Sequence, residues 1–145
     1  MSHWSRKMAE TLRKRSESKA TEDAKLSESQ KMKREVGPRL WDAVKSDIRA
    51  EGIALNADVG KELITEGSST SSNEFVIVAN LGSEAREARI LMSIDEGKLT
   101  YVAGKGKHDS FEFYKGRDGK VAFYSGTVPF STGSIATQIL ESLLD

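Results

Sequence analysis

Cysteine is missing from this chain of 145 residues, which removes disulfide staples, thiolate ligands and thiol nucleophiles from consideration. A reducing compartment fits. Histidine is nearly missing as well: His3 and His108 are the two present, so neither a catalytic zinc with its usual three protein ligands nor a serine nucleophile with an imidazole base has much to draw on. No apolar run approaches the roughly 18 residues of a membrane span, and the charged start lacks the apolar segment of a secretory signal. The expected location is cytoplasmic, with no membrane partner.

Net charge is absent too, because 22 Lys and Arg balance 22 Asp and Glu. The balance is uneven along the chain: residues 1–36 hold ten basic and six acidic side chains, residues 37–145 twelve and sixteen. Only the amino-terminal part is therefore suited to attract a polyanion.

What is present is alternation. In Asn73–Leu81, Phe75, Ile77, Ala79 and Leu81 point one way while Glu74, Val76, Val78 and Asn80 point the other, as successive strand side chains must. Arg86–Asp95 repeats the rhythm with Ala88, Ile90, Met92 and Ile94. Lys98–Ala103, His108–Lys115 and Lys120–Ser125 follow, with glycine-bearing turns between them. Connections this short exclude parallel crossovers and define an antiparallel meander. Gly60–Gly67 is a candidate edge strand, and Ser68–Ser72 a hairpin connection. Pro129 is expected to stop regular pairing.

The flanks read as helices. Leu40, Trp41, Val44 and Ile48 form an apolar stripe after Gly37-Pro38, a pair that resets the chain because the residue before proline is steered away from the helical region. At the other end Ser131 or Thr132 can cap a helix whose buried face is Ile135, Ala136, Ile139, Leu140 and Leu143. One-sided helices and a one-sided sheet bury each other. The predicted fold is α+β: an antiparallel meander of five or six strands, preceded by one long or two consecutive helices and closed by a C-terminal helix packed on the sheet. Residues 1–36 form a charged leader, helical or partly disordered, and residues 37–145 a single domain.

Trp4, Met8 and Leu12 give the leader a greasy face, but Ser16, Lys19, Asp23 and Ser27 occupy the later positions, so the seam of a coiled coil is not sustained. These three residues, with Val102, Tyr114 and Tyr124 on the second alternation of the sheet, are the candidate protein-interface residues. Arg6, Lys7, Arg13, Lys14 and Arg15 are the candidate phosphate contacts. The basic turn residues Lys105, Lys107, Lys115, Arg117 and Lys120 fall at opposite ends of strands and form no single patch.

His108, Asp109 and Glu112 do not make a compact site on one strand, since His108 and Asp109 face opposite ways and Glu112 lies about 13 Å further along. No catalytic residue, metal ligand, cofactor site or specific small molecule is indicated. The sequence therefore favours a noncatalytic protein-interaction or scaffold module, with a homodimer as one form of it, over a nucleic-acid-associated protein using its basic leader. A small enzyme with a carboxylate or Ser/His site is the third reading. A protein partner or self-association is expected ahead of nucleic acid.

Overall fold

A computed structural model describes the chain from His3 to Asp145, with side chains described for 4–15 and 28–145. The side chains of His3, Ser16, Lys19, Asp23 and Ser27 thus lie outside the described residues. The chain divides into two compact units, Met1–Met32 and Lys33–Asp145.

Helix α1 spans His3–Val59, so of the two predicted arrangements the single long helix holds and Gly37-Pro38 does not interrupt it. Pro38 has no N–H to offer the Arg34 carbonyl and normally breaks a helix interior. Packing overrides that local preference. Gly37 is buried, and a Cβ on it would stand 3.0 Å from Ile94 Cγ2 and 3.2 Å from Phe113 Cζ, which means the helix backbone lies almost directly on the sheet at the point where its ladder loses a bond. Further along, Trp41, Val44 and Ile48 are buried. Gly52 repeats the device, with a Cβ site 3.1 Å from Ile64 Cγ2. The helix ends at Gly60, whose φ of +79° and N–H bonded to the Asn56 carbonyl make it a left-handed C-terminal cap.

Seven antiparallel strands follow in sheet order identical to chain order: β1 Ile64–Glu66, β2 Glu74–Asn80, β3 Ala85–Ser93, β4 Lys98–Ala103, β5 Lys107–Lys115, β6 Val121–Ser125 and β7 Val128–Phe130. This is slightly more than the five or six expected. The additional strand contains Pro129, which pairs with Tyr124 rather than ending the pairing. Gly126 (φ +63°) and Thr127 form a two-residue hairpin loop closed by the hydrogen-bonded pair Ser125–Val128. The next pair, Tyr124–Pro129, is then of the non-hydrogen-bonded kind, so the proline nitrogen faces away from β6 and no ladder bond is lost.

Helix α2, Thr132–Leu144, begins at Ser131, whose hydroxyl accepts from the Ser134 N–H at 3.0 Å. Its buried residues are Ile135, Ala136, Ile139, Leu140 and Leu143. Together with Trp41, Val44 and Ile48 of α1 they accompany Phe75, Ile90, Leu99, Tyr101, Phe111, Phe113 and Phe123 in the core. Phe113 and Phe123 meet edge to face with centroids 5.8 Å apart. No buried side-chain nitrogen or oxygen lacks a hydrogen-bond partner among the described residues.

Candidate functional site

The register fixes what the other alternation of the sheet presents. Across the strands, Val76, Arg89, Val102 and His108 stand in one row, Glu74, Leu91, Thr100 and Ser110 in the next, and Ser93, Lys98, Glu112, Tyr124 and Pro129 in a third. Val76 is buried, and a Cβ on Gly67 would come within 2.7 Å of its Cγ1. Most of the remaining face is open. Leu91 and Val102 are 48% and 56% exposed. They lie diagonally across the β3–β4 pair, within reach of one apolar contact.

Arg89 sits beside both. Its guanidinium reaches Glu74 at 3.5 Å and Glu87 at 3.2 Å, while Glu74 also accepts from the Thr70 N–H and hydroxyl at 3.0 and 3.3 Å. The charge is therefore balanced locally, leaving Leu91 and Val102 as the uncovered apolar part of that end.

Tyr114 and Tyr124 occupy the opposite corner. Their rings stack with centroids 4.2 Å apart at 16°, and the Tyr114 hydroxyl donates to the Gly126 carbonyl at 2.9 Å. Gly116 leaves room for this stack, since a Cβ there would meet the Tyr124 hydroxyl and the ring would have to shift. Desolvation, then Asp118 and Tyr114, push the Tyr124 phenol up from its ordinary range. The stack borders an open groove of about 670 Å³ with Gly116, Arg117, Asp118 and Pro129.

The sequence candidates therefore separate. Val102 is opposite His108, and Tyr114 lies six residues beyond His108 on β5, about 20 Å away by strand rise. Val102 belongs with Leu91, and the tyrosines belong with Pro129. Alternation alone puts Leu91 on the face opposite Ile90 and Met92; its place beside Val102 comes from the β3–β4 register. Trp4, Met8 and Leu12 are exposed at 69%, 44% and 59%. Arg6, Lys7, Arg13, Lys14 and Arg15 are exposed as well.

The groups around His108 do not converge. His108 is exposed with Nδ1 3.2 Å from the Gly106 carbonyl, whereas Asp109 accepts from Gln138 of α2 at 2.8 Å. Ser110 shares the face of His108 but stands about 7 Å along the strand, beyond hydrogen-bond reach. No cluster of three metal-ligating side chains occurs among the described residues. A smaller hollow of about 150 Å³ between α1 and β1 is lined mainly by Ile48, Gly52, Ile53, Ile64, Phe75 and Ile77. Arg49 lies over the Phe75 ring, 5.0 Å from its centroid, and pairs with Glu66.

Both sheet edges carry a block. On β1, the Asn80 N–H bonds to the Leu63 carbonyl and the Gly67 N–H to the Val76 carbonyl, so the backbones of Ile64 and Glu66 between them face outward, and the first of these is capped. The Asn56 side chain takes both of its groups: Oδ1 accepts from the Ile64 N–H at 2.7 Å and Nδ2 donates to the Ile64 carbonyl at 2.9 Å. On β7, the outward position belongs to Pro129, which has no N–H to give. Such devices oppose strand addition by another chain. No protein-family model, curated protein or solved structure matches this chain.

Proposed function

We propose that this chain is a noncatalytic binding module that holds a protein partner, in the first instance a second copy of itself, on the open face of its sheet. The carrying observation is the exposure of Leu91 and Val102 on one face of the sheet in the unit Lys33–Asp145, in a sheet whose edges are blocked at Ile64 and Pro129. With strand addition opposed at Ile64 and at Pro129, the face is the favoured route for association, and its exposed aliphatic pair supplies the apolar centre that a protein interface needs. The tyrosine stack at the far corner offers a second contact of the type enriched at interfaces.

The test is the absolute mass of the full chain by light scattering across concentration. A mass that rises toward twice the monomer, and reverts to the monomer in L91D and V102D, supports the proposal. A dimer insensitive to both substitutions places association elsewhere. A monomer at every concentration removes the self-association form, and site-specific photocrosslinking from position 102 in cells then tests for a different partner.

A further inference from the structure

The leader carries a separate signal. Within the unit Met1–Met32, Trp4, Met8 and Leu12 recur every fourth residue of α1 and are exposed at 69%, 44% and 59%. At 3.6 residues per turn they fall on one side of the helix, with Thr11 beside them. The Thr11 hydroxyl donates to the Lys7 carbonyl at 3.0 Å, which satisfies it locally and lets the methyl join the apolar stripe. Arg6, Lys7, Arg13 and Lys14 fall opposite or flanking, and Arg15 lies at the carboxyl end of the stripe. Between Trp4 and Arg15 there are five cations and a single acid, Glu10.

From this arrangement we infer that Trp4–Arg15 binds the surface of an anionic lipid bilayer, lying in the interface with the Trp4–Met8–Leu12 stripe inward and the cations at headgroup level. The absence of a helix long and apolar enough to cross a membrane among the described residues concerns a different mode of attachment. Tryptophan is the side chain best suited to the headgroup boundary, and long cationic side chains reach out to phosphates while their stems stay in apolar surroundings. Nucleic acid would use the cations and leave the stripe in water. A second copy, stripe against stripe, would set the flanking Lys7 and Lys14 and the in-line Arg15 beside the same cations of its partner and leave Arg6 and Arg13 unused. An anionic surface with an apolar interior uses both halves of the helix at once.

The full chain is mixed with vesicles of phosphatidylcholine alone and of phosphatidylcholine with phosphatidylserine. Co-sedimentation and tryptophan emission are recorded. The chain has two tryptophans; Trp41 is buried and donates to the Ser72 carbonyl at 2.8 Å, so its emission is a steady background and a check that the sheet unit is folded. The expected result is binding to the anionic vesicles with a blue shift that disappears in W4F, weakened by salt. Neutralising Arg13, Lys14 and Arg15 to glutamine should weaken it on the order of a hundredfold, at roughly fivefold per basic residue. No co-sedimentation, equal binding to neutral vesicles, or undiminished binding by the triple variant overturns the inference. Binding of a nucleic-acid duplex in place of vesicles, with Trp4 emission unchanged, assigns the cations to phosphate recognition and overturns it as well.

Discussion

Replacing Asn56 with alanine removes one of the two edge blocks, and its cost can be worked from the geometry. Two hydrogen bonds to Ile64, of 2.7 and 2.9 Å, are lost from a partly buried site. At about 0.5–1.5 kcal/mol net for each, the loss is about 1–3 kcal/mol. Alanine returns up to about 0.7 kcal/mol through its better helix propensity. The net destabilisation is therefore about 0.3–3 kcal/mol, read by urea unfolding followed through Trp41. Thermal unfolding should fall by roughly 3–5 °C per kcal/mol for a unit of this size. A second effect separates an edge block from an ordinary hydrogen bond: N56A should associate more strongly with concentration, because the Ile64 backbone becomes available to another strand. Asn56→Asp keeps an acceptor for the Ile64 N–H but sets a carboxylate against its carbonyl, and should be no more stable than N56A. An alanine variant as stable as the parent, with unchanged mass in solution, would refute the assignment of Asn56 as the guard of this edge.

Pro38→Ala restores the bond to the Arg34 carbonyl and should stabilise the chain by about 2 kcal/mol, the roughly 3 kcal/mol cost of an interior proline less the entropy it removes from the unfolded state; destabilisation in urea would show that the proline geometry is needed for α1 to follow the sheet. Gly116→Ala forces Tyr124 aside and should abolish the tyrosine stack signature in near-ultraviolet circular dichroism at a cost of about 1 kcal/mol, and an unchanged spectrum would contradict the contact. The Lys107 hydrogen bond and charge hold the Asp145 carboxyl below its ordinary range, with burial opposing and Arg86 and Lys105 assisting. Because the folded value is depressed, this contribution is present above the ordinary carboxylate pKa and is lost as pH falls through the lowered one; NMR titration should show the Asp145 midpoint moving up in K107Q. Tyr124 runs the other way: its raised value favours the folded state below the ordinary phenol pKa, a contribution lost as pH rises through the folded value, and D118N should lower the midpoint of its ultraviolet titration.

Alternation and helical stripes make the core legible in the sequence. Phe75, Tyr101, Phe111, Phe113 and Phe123 all fall on the buried alternation because strand periodicity is a local property, and Ile135–Leu143 reads as one helix face for the same reason. Two departures from local sterics share a cause. Pro38 and Pro129 both predict an interruption, yet one is carried by a helix held against Ile94 and Phe113 through Gly37, and the other occupies an outward edge position where its missing donor costs nothing. The candidate interface was legible residue by residue but not as a surface. Val102 and the tyrosines share a face, and only the registers of β3–β6 show that they stand at opposite ends of it. The role of Asn56 had no sequence signal, since a polar residue near a helix end acquires its meaning from a strand folded back beside it.

The identity of sheet order and chain order has a consequence for how this molecule forms. Each strand finds its partner in the segment just before it, so the sheet can grow one hairpin at a time without waiting for a remote part of the chain, a route with small loop-closure entropy at every step. The long-range events are the docking of α1 and α2, which close over the hairpins they cover. A ribosome-bound chain would thus have strands β1 to β7 paired, and the part of their aromatic face that α2 covers still wet, until that helix emerged to seal it.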